Sequence, residues 1–291
     1  TQVELRKPEL VISQLGYGDM HSDTRFSARI APPMIGLGLL EAITEEDILA
    51  GADPDDADGD GISGRPNMVW DRAQQRSVLG RFGWKAGQPN LNQQNAEAFA
   101  NDMGLTSSLI PHDNCTTAQT DCLAAPHGGE PEVSDNILAS VLFYSRNLGV
   151  PARRDVDSPD VLKGKSLFHQ AGCQKCHTPS FTTSADAAEP ELASQLIRPY
   201  TDLLLHDMGD GLADGREEFL ANGREWRTAP LWGIGLTQTV NGHTQFLHDG
   251  RARNLLEAIL WHGGEAEAAK LHVLKFDADE RAALLAFLNS L

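Results

Sequence analysis

Cys173-Gln174-Lys175-Cys176-His177 constrains this chain more than any other stretch, because it puts two thiols and an imidazole on one short turn. Thiols at that spacing add across the two vinyl groups of a porphyrin, and the histidine that follows binds the iron, so C-x-x-C-H is the attachment sequence of haem c. A thioredoxin-like redox pair would need a βαβ pattern around it, and half a zinc site would need a second C-x-x-C; the sequence offers neither. Ahead of the motif, Val161 to Phe168 carries Leu162, Leu167 and Phe168 as apolar positions. This predicts a short helix leading into a haem crevice, with Gly172 turning the chain at its end.

The length of 291 residues is long for one cytochrome domain and suits two. No apolar stretch approaches the ~20 residues of a membrane span; the longest, Ala31 to Ile43, is interrupted by prolines and glycines. Thr1 opens the chain without an initiator methionine or a signal sequence, as a processed or partial chain would. Haem c is attached outside the bacterial cytoplasm, so the expected compartment is the periplasm, where spare cysteines oxidise. The two spare ones, Cys115 and Cys122, lie in a polar loop and read as a local disulfide. A Cys2His2 metal site with His112 and His127 is the rival, but its spacing matches no common zinc pattern. With 24 basic against 41 acidic residues the formal charge is −17. That excludes nucleic acid and anionic membrane surfaces as natural partners and suits a redox protein with a basic docking face, such as a small cytochrome or a cupredoxin.

Residues 1–150 are rich in Gly, Pro, Asn and Asp, and predict helices separated by long ordered loops: Ile35 to Ile43, Asn92 to Met103, and Val133 to Leu148 capped by Ser134. Strand signals are sparse. Pro151 to Pro159 combines prolines with clustered charge and marks the expected boundary between a domain at 1–150 and a haem-binding domain at 151–291. At the C-terminus, Asp277 with Glu280 three residues on predicts a capped helix whose Leu284, Phe287, Leu288 and Leu291 share one face. The fold class is therefore mainly α.

The other axial position can be filled by Met, by His, or left open for chemistry. Nine histidines besides His177 and five methionines are available, and Met208 stands in the glycine-rich His206 to Gly211 segment. Here a resemblance adds what spacing alone does not. Arg227-Thr228-Ala229-Pro230-Leu231-Trp232-Gly233, Phe246-Leu247-His248-Asp249-Gly250 and Leu255-Leu256-Glu257-Ala258 resemble the second haem domain of bacterial di-haem cytochrome c peroxidases. Gly80 to Ala86, Leu203 to Gly209 and Ile259 to Gly264 bring nearly the whole chain closer still to their relatives, the di-haem oxidoreductases often labelled thiol oxidoreductases. The resemblance implies two cytochrome c-like domains with long ordered loops. It also implies a distal ligand fourteen residues after His248, which is His262. A bis-histidine iron would be closed to substrate and suited to electron transfer. Arg227 and Arg251 lie where guanidinium forks would meet haem propionates.

In the first half, the resemblance implies that Trp84 relays electrons between haems while Gln94 and Asp102 assist proton transfer at a bound oxidant. Each of the three is also an ordinary core or helix position. The first C-x-x-C-H, which that family places upstream, is absent, so the chain reads as beginning mid-domain. Separately, Asp53 to Gly64 contains D-x-D-x-D-G, the opening of a calcium loop. Asp56, Asp58 and Asp60 are its expected ligands, but Asn67 stands where an EF-hand has its bidentate Glu. The sequence thus predicts a periplasmic haem c oxidoreductase whose C-terminal haem transfers electrons. Its alternatives are a di-haem peroxidase acting on hydrogen peroxide and a non-enzymatic electron carrier.

Overall fold

Asp277 accepts from the Glu280 backbone N–H, and the Glu280 carboxylate accepts from that of Asp277, so the helix Ala278–Ser290 opens with the expected capping box. Its apolar face is fully used: Leu284, Phe287, Leu288 and Leu291 are all buried. They pack on the helix Pro159–Gln170, which starts with Pro159 in its first turn and runs to the turn at Gly172, where φ is +86°. The two helices cross at Gly164. A Cβ there would sit 1.9 Å from the Ala283 carbonyl oxygen and 2.7 Å from the Phe287 Cβ, so only glycine admits this approach. Phe168, Tyr200 and Phe287 close the crossing with ring centroids 5.3 to 5.9 Å apart. Such pairs contribute roughly 0.5–1.5 kcal/mol each beyond their burial.

The computed structural model describes residues 3–291. Helices dominate, and the strands form three antiparallel pairs: Met68–Asp71 with Arg76–Leu79, Phe181–Thr182 with Leu196–Ile197, and Leu205–Asp207 with Glu225–Arg227. In the first half, helix Leu91–Met103 is capped by Asn90 and helix Asp135–Arg146 by Ser134, close to the sequence expectation. The helix expected over Ile35 to Ile43 is shorter, Leu37–Glu41. Gly36, at φ +67°, lies against Trp232 and Val150, and Gly38 lies against the Arg146 carbonyl, so close packing takes the place of another helical turn.

The core of the first half includes side chains from the second. Leu37, Leu40, Ile43 and Leu91 pack with Ile197, Leu203, Leu204 and Trp232. Before Leu37 the described residues form no helix or strand, and large apolar side chains such as Val11 and Tyr17 are exposed. That segment is nevertheless tied down at Ile30, whose N–H donates to the His248 carbonyl and whose carbonyl accepts from Trp84 Nε1. Among the described residues no helix is long and apolar enough to cross a membrane.

Candidate functional site

The sequence motif becomes a single 3-10 turn, Cys173–Lys175, sprung from the end of the Pro159–Gln170 helix. Both motif cysteines are free and partly buried, whereas Cys115 and Cys122 form the expected disulfide, so the rival Cys2His2 site does not form. Burial pushes the Cys173 thiol up to about 12 and raises Cys176 as well. Neither is the low-pKa thiolate that literal thiol exchange needs.

His177 is aimed by its backbone surroundings. Its Nδ1 lies 2.9 Å from the Tyr200 carbonyl oxygen, to which it donates, and its ring packs against Phe168. That bond fixes the tautomer and leaves the Nε2 lone pair for a metal. His262 repeats the arrangement. It ends the helix Leu255–Trp261, and its Nδ1 donates to the Ala258 carbonyl at 2.7 Å, again leaving Nε2 free. Burial drives His177 down to about 4, with the Tyr200 hydrogen bond opposing and the charge of nearby His262 adding to the fall; burial lowers His262 too. Both imidazoles are therefore held neutral, the form that ligates iron. Met208 lies in the turn before Gly209–Leu212 and lines, with Trp261 and Gly263, a cavity of about 330 Å³.

Three further observations fit a haem at this place. Arg227 is buried, yet its only side-chain hydrogen bond among the described residues runs from Nε to the Gly83 carbonyl. Burial lowers its pKa to about 10, with Asp202 the countercharge in range. Its terminal nitrogens thus remain for an acidic group such as a propionate. Gln174 Oε1, inside the motif, and Trp261 Nε1, beside His262, are buried without a partner. Such orphaned atoms are rare in protein interiors. Arg251, by contrast, is committed: it forks onto Asp249, donates to the Gly211 carbonyl and lies over the Trp261 ring.

The first-half residues do not gather into one pocket. Trp84 meets the second half, edge-on to His248 at 6.5 Å, while His248 stacks on Trp226 at 3.7 Å. Lys85 is completely buried, paired with Asp214 and poised 4.4 Å from the centre of the Trp226 ring. Gln94 Oε1 is buried without a partner, but Asp102 is exposed at the far end of the same helix. Eight residues of helix separate the two by roughly 12 Å along the axis. In the acidic loop the facing carboxylates are Asp53, Asp56 and Asp58, with oxygens within 4.8 Å of one another. Asp60, expected among them, instead pairs with Lys175 of the cysteine motif at 2.7 Å, and Asn67 is buried elsewhere, donating to the Lys85 and Glu218 carbonyls.

Sequence reading missed one cluster altogether. His206 lies buried between Asp202, 2.8 Å from Nε2, and Glu265, 2.7 Å from Nδ1. Cys176 Sγ is 3.6 Å from the same Nδ1. The available signal was a histidine inside Leu203-Leu204-Leu205-His206-Asp207, a strand-like apolar run.

Among curated proteins none matches the chain. A hydrazine synthase chain from Kuenenia stuttgartiensis, from a structure pressurised with xenon, is similar over 98% of this chain and 100% of that one, at 13% identity and a TM-score of 0.42. The profile of the family described as "Di-haem oxidoreductase, putative peroxidase" matches residues 5–291, and with this near-complete coverage the chain belongs to the di-haem oxidoreductase family.

Proposed function

We propose that the chain holds a haem c through thioether bonds to Cys173 and Cys176, with His177 and His262 as its axial ligands and Arg227 on a propionate. In this reading the C-terminal centre passes electrons to or from a periplasmic redox partner. The observation that carries it is the matched pair of imidazoles, each with Nδ1 donating to a backbone carbonyl and each with Nε2 left as the ligand atom. When bound, the haem supplies a one-electron couple. The residues supply the rest. The Tyr200 and Ala258 carbonyls keep both rings in the ligating tautomer, and the Phe168, Tyr200 and Phe287 cluster excludes water from the His177 side. Trp84 would relay electrons in this reading; its edge contact with His248 supports that role. Asp102, exposed, is poorly placed for proton transfer beside Gln94.

The test is intact mass together with the absorption of the reduced protein and the ferric spin state. One covalent haem in low-spin form is expected, with His262→Ala turning it high-spin and Met208→Ala leaving it unchanged. The reverse pattern would overturn the ligand assignment, and a mass without haem would overturn the site. Family membership favours a second reading, a peroxidase that needs another haem. Peroxide-dependent oxidation of a reduced cytochrome by the native gene product would support it.

A further inference from the structure

Behind the cysteine motif lies a charged relay. His206 Nε2 donates to Asp202 Oδ2 and Nδ1 donates to Glu265 Oε2. Carboxylate oxygens only accept, so two such bonds require hydrogens on both ring nitrogens, which is the imidazolium form. Both carboxylates accept from further donors. Asp202 Oδ1 accepts from the Leu204 N–H, and Glu265 accepts from the Ser63 N–H and hydroxyl and from the Asp207 N–H. Hydrogen bonds of this kind pull Glu265 down to about 2 against the effect of burial. On His206 burial is likewise the largest influence and acts against the charge, but the bonds to Asp202 and Glu265 raise the group above its usual range.

The placement of this fixed cation is specific. His206 is buried, and its Nδ1 is 3.6 Å from the Cys176 sulfur. A charge in a low-dielectric interior acts strongly on any redox centre beside it. We propose that His206 is a positioning residue that raises the reduction potential of the haem on Cys173 and Cys176, while the flanking Asp202 and Glu265 oppose it and Ser63 anchors Glu265. The inference rests on the covalent attachment proposed above. The couple is a one-electron reduction of iron. The electron comes from an external reductant, and no bond forms or breaks in the relay; the cation favours the reduced state because that state carries one positive charge fewer.

The experiment is a spectroelectrochemical titration of the haem-loaded full chain, wild type beside His206→Gln and Glu265→Gln, with intact mass recorded on each. His206→Gln keeps a donor and an acceptor but removes the cation. It is expected to lower the reduced-to-oxidised ratio at the wild-type midpoint by about tenfold, ~59 mV for one electron. That is the scale of a unit charge acting over roughly 10 Å at an effective dielectric of about 20. Glu265→Gln is expected to raise the ratio. A purely structural role would move both variants the same way or neither, and either result overturns the proposal. Should His206→Gln fail to mature, Asp202→Asn and Glu265→Gln carry the sign test, since loss of either anion must raise the ratio. A wild type without covalent haem would refute the site reading and this inference with it. Covalent haem with unshifted potentials would refute the inference alone.

Discussion

Gly164→Ala tests how tightly the helices Pro159–Gln170 and Ala278–Ser290 cross. By helix propensity alone the change is favourable by about 1 kcal/mol, because glycine inside a helix costs that much relative to alanine. The packing says the opposite. The new Cβ would fall 1.9 Å from the Ala283 carbonyl oxygen, 2.6 Å from its carbon and 2.7 Å from the Phe287 Cβ. Carbon and oxygen tolerate about 3.3 Å, so the helices must part by about 1.4 Å. None of the obstructing atoms is the free end of a side chain, and relief has to come from backbone movement. Overpacking of this kind costs about 1–3 kcal/mol. Separation would also loosen Phe287, whose full burial is worth about 2 kcal/mol. A net loss of about 2 kcal/mol is expected, equivalent to about 3 °C in Tm at this chain length. Gly149→Ala is the control, since no atom lies within 4 Å of the position its new methyl group would take, and its change should stay within about 0.5 kcal/mol. Thermal unfolding of both variants in parallel decides the matter. If Gly164→Ala melts with the wild type, or no lower than the control, the close-approach argument is wrong.

Asp277→Ala removes the capping box of the terminal helix and should cost about 1 kcal/mol in urea unfolding, with Asp277→Asn retaining most of it. Replacing Cys115 and Cys122 together by serine should cost no more than about 2.5 kcal/mol, because the bridge closes a short loop. Reductant should destabilise the wild type and leave the serine variant unchanged. The Asp202–His206–Glu265 relay should also show in the pH dependence of Tm. Glu265 is depressed to about 2 from an ordinary 4.5, so its stabilisation is complete above 4.5 and is lost as pH falls through about 2. His206 is raised above 6.5, so its contribution is complete below 6.5 and fades as pH rises through its folded value. The Tm difference between wild type and His206→Gln should therefore peak near pH 4.5–6.5 and shrink in alkali; a difference that grows in alkali would exclude the imidazolium.

Local chemistry made much of this fold legible. Ser134 and Asp277 are side chains that satisfy N–H groups three residues on, so these helix starts can be read from a few neighbouring letters, whereas the Asn90 cap, which does the same, put the start of its helix one residue before the expected Asn92. The hairpin Met68–Leu79 was not legible, because its turn carries no glycine or asparagine. Gln75 takes φ +52° instead, and Asp71 holds the turn by accepting from the Gln74 N–H. Gly36 and Gly38 shorten a helix for a reason that lies in Trp232 and Arg146, far along the chain. At the site, the cysteines and His177 are contiguous and their spacing declares them. His206 acquires its role only when Glu265, 59 residues away, is folded against it. A histidine in an apolar run gives no sign that two carboxylates will meet it.

The acidic loop has a meaning that its sequence did not reveal. Taken by itself, Asp53 to Gly64 is a segment suited to gathering a cation, and three of its carboxylates do face one another. In the fold, two of its other residues reach the cysteine motif. Asp60 pairs with Lys175 between the two cysteines, and Ser63 donates twice to Glu265, which holds His206 beside Cys176. The same half of the chain reaches Arg227 through the Gly83 carbonyl and His248 through Trp84. The Cys173–His177 motif is thus contacted by Asp60 directly and by Ser63 through Glu265 and His206, and the polar contacts that set its charge surroundings come from both sides of residue 150. Exposed ion pairs such as Asp60–Lys175 contribute little stability, about 0–1 kcal/mol. The contacts of half-buried Glu265 and buried Arg227 are the ones whose loss would reach the site.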